Sequence, residues 1–240
     1  MPRTLQMIDA THINDFGTAG TVYREIKRRI TELHHKPGDK LSEVRIANEL
    51  GVGRSPVRSA FARLQSEGWI EISPWSGTFV RGLSDNEITE ILETRIVLES
   101  YLAGLAAKRM EELELKRLRA AFTRFGGQVS RERMDDYLEL DLQFHMAIYD
   151  AAGNKLIRGI LVNLIDKIRW IRRGSAGSPS RTQNAFVEIC NVLEALEARD
   201  PDRAAAAMHT HIASTLEFRM PQATVDAATG PVKKIRRGKR

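Results

Sequence analysis

Cysteine is all but missing from this 240-residue chain, where Cys190 stands alone. A single thiol can close no internal disulfide and cannot build a cysteine zinc site, so the expected setting is a reducing cytoplasm. Long apolar runs are missing as well. The opening MPRTLQMIDATHINDFG has no apolar core of a secretory leader, and no stretch is long enough to cross a bilayer. That argues against a membrane partner. There is no glycine-rich phosphate loop, no nucleophile motif and no internal repeat, which weighs against an enzyme.

What is present suits one large domain or two smaller ones: 42% of residues are hydrophobic and 28% charged. The net charge of +6 is unevenly spread. Residues 1–83 carry twelve Lys/Arg against nine Asp/Glu, residues 84–220 nineteen against twenty-one, and residues 221–240 six against one. A basic head on a near-neutral body suggests a nucleic-acid-binding module attached to something else.

Periodicity organises the chain. Residues 1–17 read as a flexible arm. A first helix fits Thr18–Leu33, with Val22, Tyr23, Ile26, Ile30 and Leu33 on one face. After the breaker Lys36-Pro37-Gly38-Asp39, a short helix spans about Glu43–Leu50, and Gly51-Val52-Gly53 makes a turn. Ser55 as N-cap and Pro56 at the first helical position open the next helix, whose stripe is Val57, Ala60, Phe61 and Leu64. Trp69–Ile72 and Thr78–Val80 read as two strands of a hairpin. Beyond a linker at Gly82-Leu83, the capping box Ser84-Asp85-Asn86-Glu87 starts a wholly helical region. Its expected helices are 85–109, 111–127, 133–152, 154–173, 182–198 and 201–219. Residues 220–240 read as a disordered basic tail, either adding non-specific DNA affinity or inert.

Helix, short helix, turn, helix and hairpin, over residues 18–82, is the order of a winged helix-turn-helix. The third helix would lie in the major groove with its N-terminus near base edges. Arg54 and Arg58 flank that N-terminus, and a guanidinium can take guanine O6 and N7 together. Ser55, Pro56 and the free N–H groups of the first turn suit phosphate. Arg45, Arg63 and Lys40 are candidate phosphate contacts. Gly77 and Thr78, at the wing tip Ser76-Gly77-Thr78, would approach the minor groove or backbone.

Several strings at fixed spacing resemble the GntR family of regulators: Pro37-Gly38-x-x-Leu41, Leu50-Gly51-Val52-Gly53-Arg54-Ser55-Pro56-Val57-Arg58, Leu64-x-x-Glu67-Gly68 and Gly77-Thr78-Phe79-Val80. Two positions depart from the pattern. Val44 stands where some members carry a phosphate-touching arginine, and Ser76 where a basic residue is common.

The helical region, 85–219, is similar to the FCD effector-binding domain of the FadR-type subgroup. Glu93-Thr94-Arg95-x-x-Leu98-Glu99, Asp141-Leu142-Gln143-Phe144-His145 and Ala206-Ala207-Met208-x-x-His211-Ile212 are among the segments that carry the likeness. Read from spacing alone, Arg95 and Glu99 are an ion pair on an apolar face; the resemblance implies that Arg95 holds a ligand carboxylate. Asp141 and His145, four apart on one helix, are either a hydrogen-bonded pair or two metal ligands. Metal-binding members supply one Asp and three His. Asp141, His145 and His211 fall on three of those positions, and Ile189 stands on the fourth. A divalent metal such as zinc or nickel is the cofactor that this set implies.

The expectation is therefore a mainly α protein: an N-terminal winged helix-turn-helix plus a C-terminal antiparallel bundle of six to seven helices. It would be a homodimeric repressor that binds a pseudo-palindromic double-stranded DNA operator. Its affinity would be controlled by a small organic acid held by Arg95, Asp141, His145 and His211. Two other classes stay open: a constitutive DNA binder whose helical half only dimerises, and a helical metal-dependent enzyme.

Overall fold

A computed structural model describes residues 18–219. The arm expected at 1–17 and the tail expected at 220–240 lie outside the described residues. The head comprises α1 (Thr18–Thr31), β1 (Lys40–Leu41), α2 (Glu43–Leu50), α3 (Arg54–Ser66), β2 (Ile70–Ser73) and β3 (Gly77–Val80). The stripe Val22, Tyr23, Ile26 and Ile30 of α1 is buried with Val57, Ala60, Phe61 and Leu64 of α3, so the two helices share one core. Helix α1 stops two residues earlier than its periodicity suggests, because Leu33 takes a left-handed φ of 59°. Ser42 caps α2 by accepting from the Arg45 N–H at 3.3 Å, and Gly51 ends it at φ 64°.

Two sequence expectations are corrected here. The N-cap of α3 is Gly53, with φ −69° and ψ 165°, and not Ser55. Arg54, Ser55 and Pro56 are thus the first three helical residues. Pro56 sits where an α-helix has no acceptor for an N–H, so the ring costs no hydrogen bond. The sheet also has a third strand. β1 pairs antiparallel with β3, Lys40 opposite Phe79, in the order β1-β3-β2. Two residues are too short for a period-two pattern to register.

The body comprises α4 (Asp85–Arg109), α5 (Glu112–Phe125), a 3-10 turn at Arg131–Arg133, α6 (Met134–Ala152), α7 (Lys155–Asn163), α8 (Ile165–Ser175), α9 (Pro179–Glu197) and α10 (Pro201–Arg219). The capping box is formed: Ser84 Oγ accepts from the Glu87 N–H, and Glu87 accepts from the Ser84 N–H at 3.0 Å. Helix α4 runs through the centre, and Leu102, Ala103, Ala106 and Ala107 are fully buried. Small residues let α10 come close. A Cβ on Gly104 would stand 3.2 Å from the Pro201 carbonyl oxygen. The single helix expected over 154–173 is two. The chain bends at Leu164 (φ −91°, ψ −4°), whose N–H reaches back only three residues, to Leu161.

Head and body are joined by polar contacts. Lys27 Nζ of α1 lies 2.7 Å from Asp166 Oδ2 of α8 and 2.9 Å from Glu67 Oε2. Arg81 donates to the Gly68 carbonyl and, at 2.9 Å, to Glu87. Gly82 sits between Pro37 and Trp170.

Replacing Gly104 by Leu should separate α4 from α10 and destabilise the body by roughly 1–3 kcal/mol, the usual range for overpacking. A chemical-denaturation midpoint equal to that of the unaltered protein would contradict this packing.

Candidate functional site

Two regions concentrate chemistry. In the head, Arg54 and Arg58 project from the first turns of α3, with side chains 62% and 68% exposed. Both lean on Glu43 at the start of α2, at 3.8 and 3.3 Å. Surface pairs of this kind are weak, so the guanidinium groups are held near one another without being locked. Arg45 is exposed beside Glu49 at 3.3 Å. Arg63 is placed otherwise. Its guanidinium carbon stacks 3.8 Å from the Tyr23 ring centroid, and its Nε donates to Glu67, which ties it to the α1–α3 packing.

The wing also differs in detail from its expected form. Thr78 lies within β3, opposite Ile72. The tip is formed by Pro74, Trp75 and Ser76 in the loop before β3, and Trp75 is fully exposed at a left-handed φ of 68°. Gly77 has φ 114°, a conformation that demands glycine, and a Cβ there would have to push aside the flexible end of Lys40, 2.7 Å away. Sequence reasoning overlooked Trp75, because one aromatic in a turn has no periodic neighbour to mark it.

The second region is buried in the body. Arg95 and Glu99 of α4 form the ion pair that their spacing predicts, Nε to Oε1 at 2.6 Å, with both side chains buried. The other oxygen of Glu99 meets His145 Nδ1 at 2.5 Å. His145 Nε2 then faces His211 Nε2 at 3.3 Å, and His211 Nδ1 lies 3.1 Å from Glu188 Oε2. Glu188 is gripped in turn by both terminal nitrogens of Arg181, at 3.1 and 2.9 Å. A buried chain therefore runs Arg95–Glu99–His145–His211–Glu188–Arg181 across α4, α6, α10 and α9. Asp141 hangs beside it, Oδ1 3.8 Å from His145 Nε2 and Oδ2 2.9 Å from Arg172 Nε of α8.

Charge in this cluster is strongly biased. Burial would raise the Glu99 pKa, but Arg95 and His145 outweigh it and hold the carboxyl well below the ordinary range. Burial would likewise raise Asp141, and Arg172 with the two imidazoles brings it below the usual value. Burial, then Arg172, pushes His145 down to about 4. A neutral His145 donates Nδ1–H to Glu99 and leaves its Nε2 lone pair facing His211.

This donor set fits a metal ion. The ligand atoms of Asp141, His145 and His211 all lie within 4.8 Å of one another. Bonds of about 2.0–2.1 Å in a tetrahedron put neighbouring ligand atoms about 3.3 Å apart, which is the observed separation of the two Nε2 atoms. Carboxylates on both Nδ1 atoms are the outer support that metal-bound imidazoles usually have. Ile189 is fully buried and packs in the core, so it offers nothing to an ion, and His209 is exposed.

Next to this trio is a cavity of about 40 Å³ lined by Arg95, Tyr137, Asp141, Arg172, Arg181 and His211, among others. The structure thus brings together all four residues that the resemblance implied. It adds Arg172, Arg181 and Glu188, which sequence reasoning did not assign, and gives Glu99 a second partner in His145. Arg181 and Glu188 are seven apart on one face of α9, a detectable spacing. Arg172 shares the face of Ile168, Ile171 and Ser175 at i, i+3, i+4 and i+7 spacing, which sets it apart from Arg169 and Arg173 and is also a detectable signal.

The profile for "Bacterial regulatory proteins, gntR family" matches residues 18–80, and that for "FCD domain" matches 90–214. The chain belongs to the GntR family. Among its relatives is the HTH-type transcriptional repressor RspR of Escherichia coli, 28% identical over 194 residues, covering 80% of this chain and 84% of the relative. The Nta operon transcriptional regulator of Aminobacter aminovorans is 29% identical over 181 residues, covering 75% and 83%. The fold is shared with a transcriptional regulator from Rhodococcus sp. RHA1 (TM-score 0.66, 22% identity, 84% of this chain and 96% of that one). It is shared also with E. coli McbR/YncC (TM-score 0.65, 19% identity, 85% and 97%). This GntR-family chain is accordingly a DNA-binding transcription regulator. It has the expected architecture, a winged head followed by a helical bundle. No helix among the described residues is long and apolar enough to cross a membrane.

Replacing Glu99 by Ala would strand the buried Arg95 charge and remove the support of His145. The GntR-family body should lose about 3–5 kcal/mol, the range for breaking a buried pair from one side. A loss below about 1 kcal/mol in urea denaturation would show that this pair does not organise the pocket.

Proposed function

We propose that this GntR-family protein is a homodimeric repressor whose hold on a pseudo-palindromic operator is set by a small organic acid bound in the body, beside a divalent metal. The observation that carries this reading is the buried cluster itself. Arg95, Arg172 and Arg181 converge on one cavity beside Asp141, His145 and His211. A concave, water-poor site rich in guanidinium groups is suited to carboxylate. Asp141, His145 and His211 would hold the metal, zinc or nickel by their donor types, which would supply a further positive centre for an anionic ligand. In the head, Arg54 and Arg58 would leave Glu43 for base edges. Ser55, Pro56 and the first-turn N–H groups of α3 would meet phosphate, with Arg45 alongside. Gly77 lets the wing close over Lys40, and Trp75 rather than Thr78 would lead the wing toward DNA. Val97 and Tyr101, exposed on α4 at four-residue spacing, offer apolar surface for a partner copy.

The cluster favours binding over catalysis. Glu99 and Glu188, the carboxylates nearest the imidazoles, are both engaged by histidine and arginine, so neither is placed as a free general base. A ligand would regulate only by favouring one arrangement of the heads over another.

Operator capture followed by a gel-shift assay tests the head. Arg58→Ala should abolish sequence-specific binding while leaving weak, salt-sensitive binding, and unchanged operator affinity would refute the assignment. Metal content by mass spectrometry and thermal shifts with a panel of organic acids test the body. His145→Ala combined with His211→Ala should lose both the metal and the acid-dependent stabilisation. Turnover of the acid, in place of stabilisation, would favour an enzyme; a body that answers neither metal nor acid would favour a constitutive binder.

A further inference from the structure

Three arginines line the pocket, and they are not equivalent. Arg181 is fully engaged: its terminal nitrogens take Glu188, the His211 carbonyl and Thr215. Arg95 is anchored through Nε on Glu99, with its NH2 group left unpartnered. Arg172 is different. Its side chain is 10% exposed, and only Nε has a close neighbour, Asp141 Oδ2 at 2.9 Å. That contact is an ion pair without hydrogen-bond alignment, and both terminal nitrogens of Arg172 are buried with no hydrogen-bond partner. Leaving such donors buried and unmet is costly. What remains free is the planar fork that matches a carboxylate.

Arg172 also stands between two cavities. It lines the pocket beside the histidines, and together with Leu138 it lines a cleft of about 280 Å³ where α1 meets α6 and α8. The cleft is bounded on the head side by Thr31, Glu32 and His34. Helix α8 carries Asp166 as well, six residues before Arg172, and Asp166 is paired with Lys27 of the head.

We propose that Arg172 is a displaceable internal cation. It occupies Asp141 while the Asp141–His145–His211 site is without metal. A divalent ion takes over Asp141 and releases the guanidinium to grip the carboxylate of an organic acid arriving from the head–body cleft. This rests on the metal-and-carboxylate reading above and assigns Arg172 two opposed roles. Arg172 sits on Oδ2 while Oδ1 faces His145, so the competition is repulsion between two cations at one carboxylate; toward the ligand they are partners. An exchange of one positive charge for another keeps Asp141 neutralised throughout, which a buried carboxylate requires. It also alters the contacts of the helix that touches the head.

The test uses Ni²⁺ alone and then acetate, the smallest carboxylate with a methyl group, on the full chain. Arg172→Met removes the competitor, so Ni²⁺ should bind about tenfold tighter than to the unaltered protein. Acetate titrated into the Ni²⁺-loaded protein should bind about tenfold weaker in the variant. A merely structural arginine would weaken both. Arg173→Met, which removes a charge one residue away that pairs with Asp135, should change neither affinity. An equal tightening in Arg173→Met, or a Ni²⁺ affinity in Arg172→Met no better than that of the unaltered protein, overturns the competition. Acetate binding that is absent from the unaltered protein, or equal in it and Arg172→Met, overturns the carboxylate role. Ni²⁺ binding to none of these proteins would defeat the metal reading itself, and this inference with it. Should Arg172→Met fail to fold, the arginine Nε–H signal of Arg172 in the unaltered protein decides. It should shift on loading with diamagnetic Zn²⁺, and an unmoved signal overturns the proposal.

Discussion

Buried charge is the constraint around which the body is built. Arg95, Glu99, His145, His211, Glu188 and Arg181 form one alternating chain, drawn from four helices and mostly shut off from water. None of these groups is tolerable alone in such a place, since an unpaired ion or polar group there costs several kcal/mol. Each helix must therefore present its member in register with the next. The apolar packing around them is the means: Leu102, Phe144, Ile189 and Met208 are all fully buried next to these charged positions in sequence or one turn away. Hydrophobic burial supplies the driving force, and the charge chain selects which arrangement of the helices is acceptable.

That division bears on the proposed response to a ligand. Most of the cluster is saturated. Arg172, one nitrogen of Arg95, Asp141 Oδ2 and the Tyr137 hydroxyl are not, and all four residues line the cavity. Head and body share one hydrophobic cluster, and polar contacts, Lys27 with Asp166 and Arg81 with Glu87, lie at its edge. Polar contacts of this type rearrange at small cost, as the proposed coupling between pocket and head requires. Within the head the same economy holds. Glu43 gathers Arg54 and Arg58 by weak exposed pairs, so a duplex can claim them with little loss.

Much of the fold is legible in the amino-acid sequence. The apolar stripes of α1, α3 and α4, the capping box at Ser84 and the break at Gly51 mark the elements, as do Gly126 and Gly153, the left-handed ends of α5 and α6, because local period and local caps act within a few residues. The details that escape such reading are those governed by distant partners. β1 exists because Phe79 and Thr78 lie beside Lys40 and Leu41. α7 and α8 part at Leu164 with no glycine or proline to announce it. The cap of α3 falls to Gly53 where side-chain chemistry points to Ser55. Arg63, an apparent surface cation, is drawn onto Tyr23 and Glu67 across the α1–α3 interface.

The sequence by itself determined the winged head, the helical body, the family, and the candidacy of Arg95, Asp141, His145 and His211. The head and body follow from short-range periodicity, and the family and the candidate residues from the resemblance that motifs at fixed spacing carry. Only the tertiary structure decided that Glu99 and Glu188 orient the two imidazoles, that Ile189 is core, and that Arg172 alone of Arg169, Arg172 and Arg173 reaches Asp141. The reason is geometric: local periodicity can turn Arg172 to the inward face of α8, but its partner Asp141 lies on α6, and no window of sequence contains both.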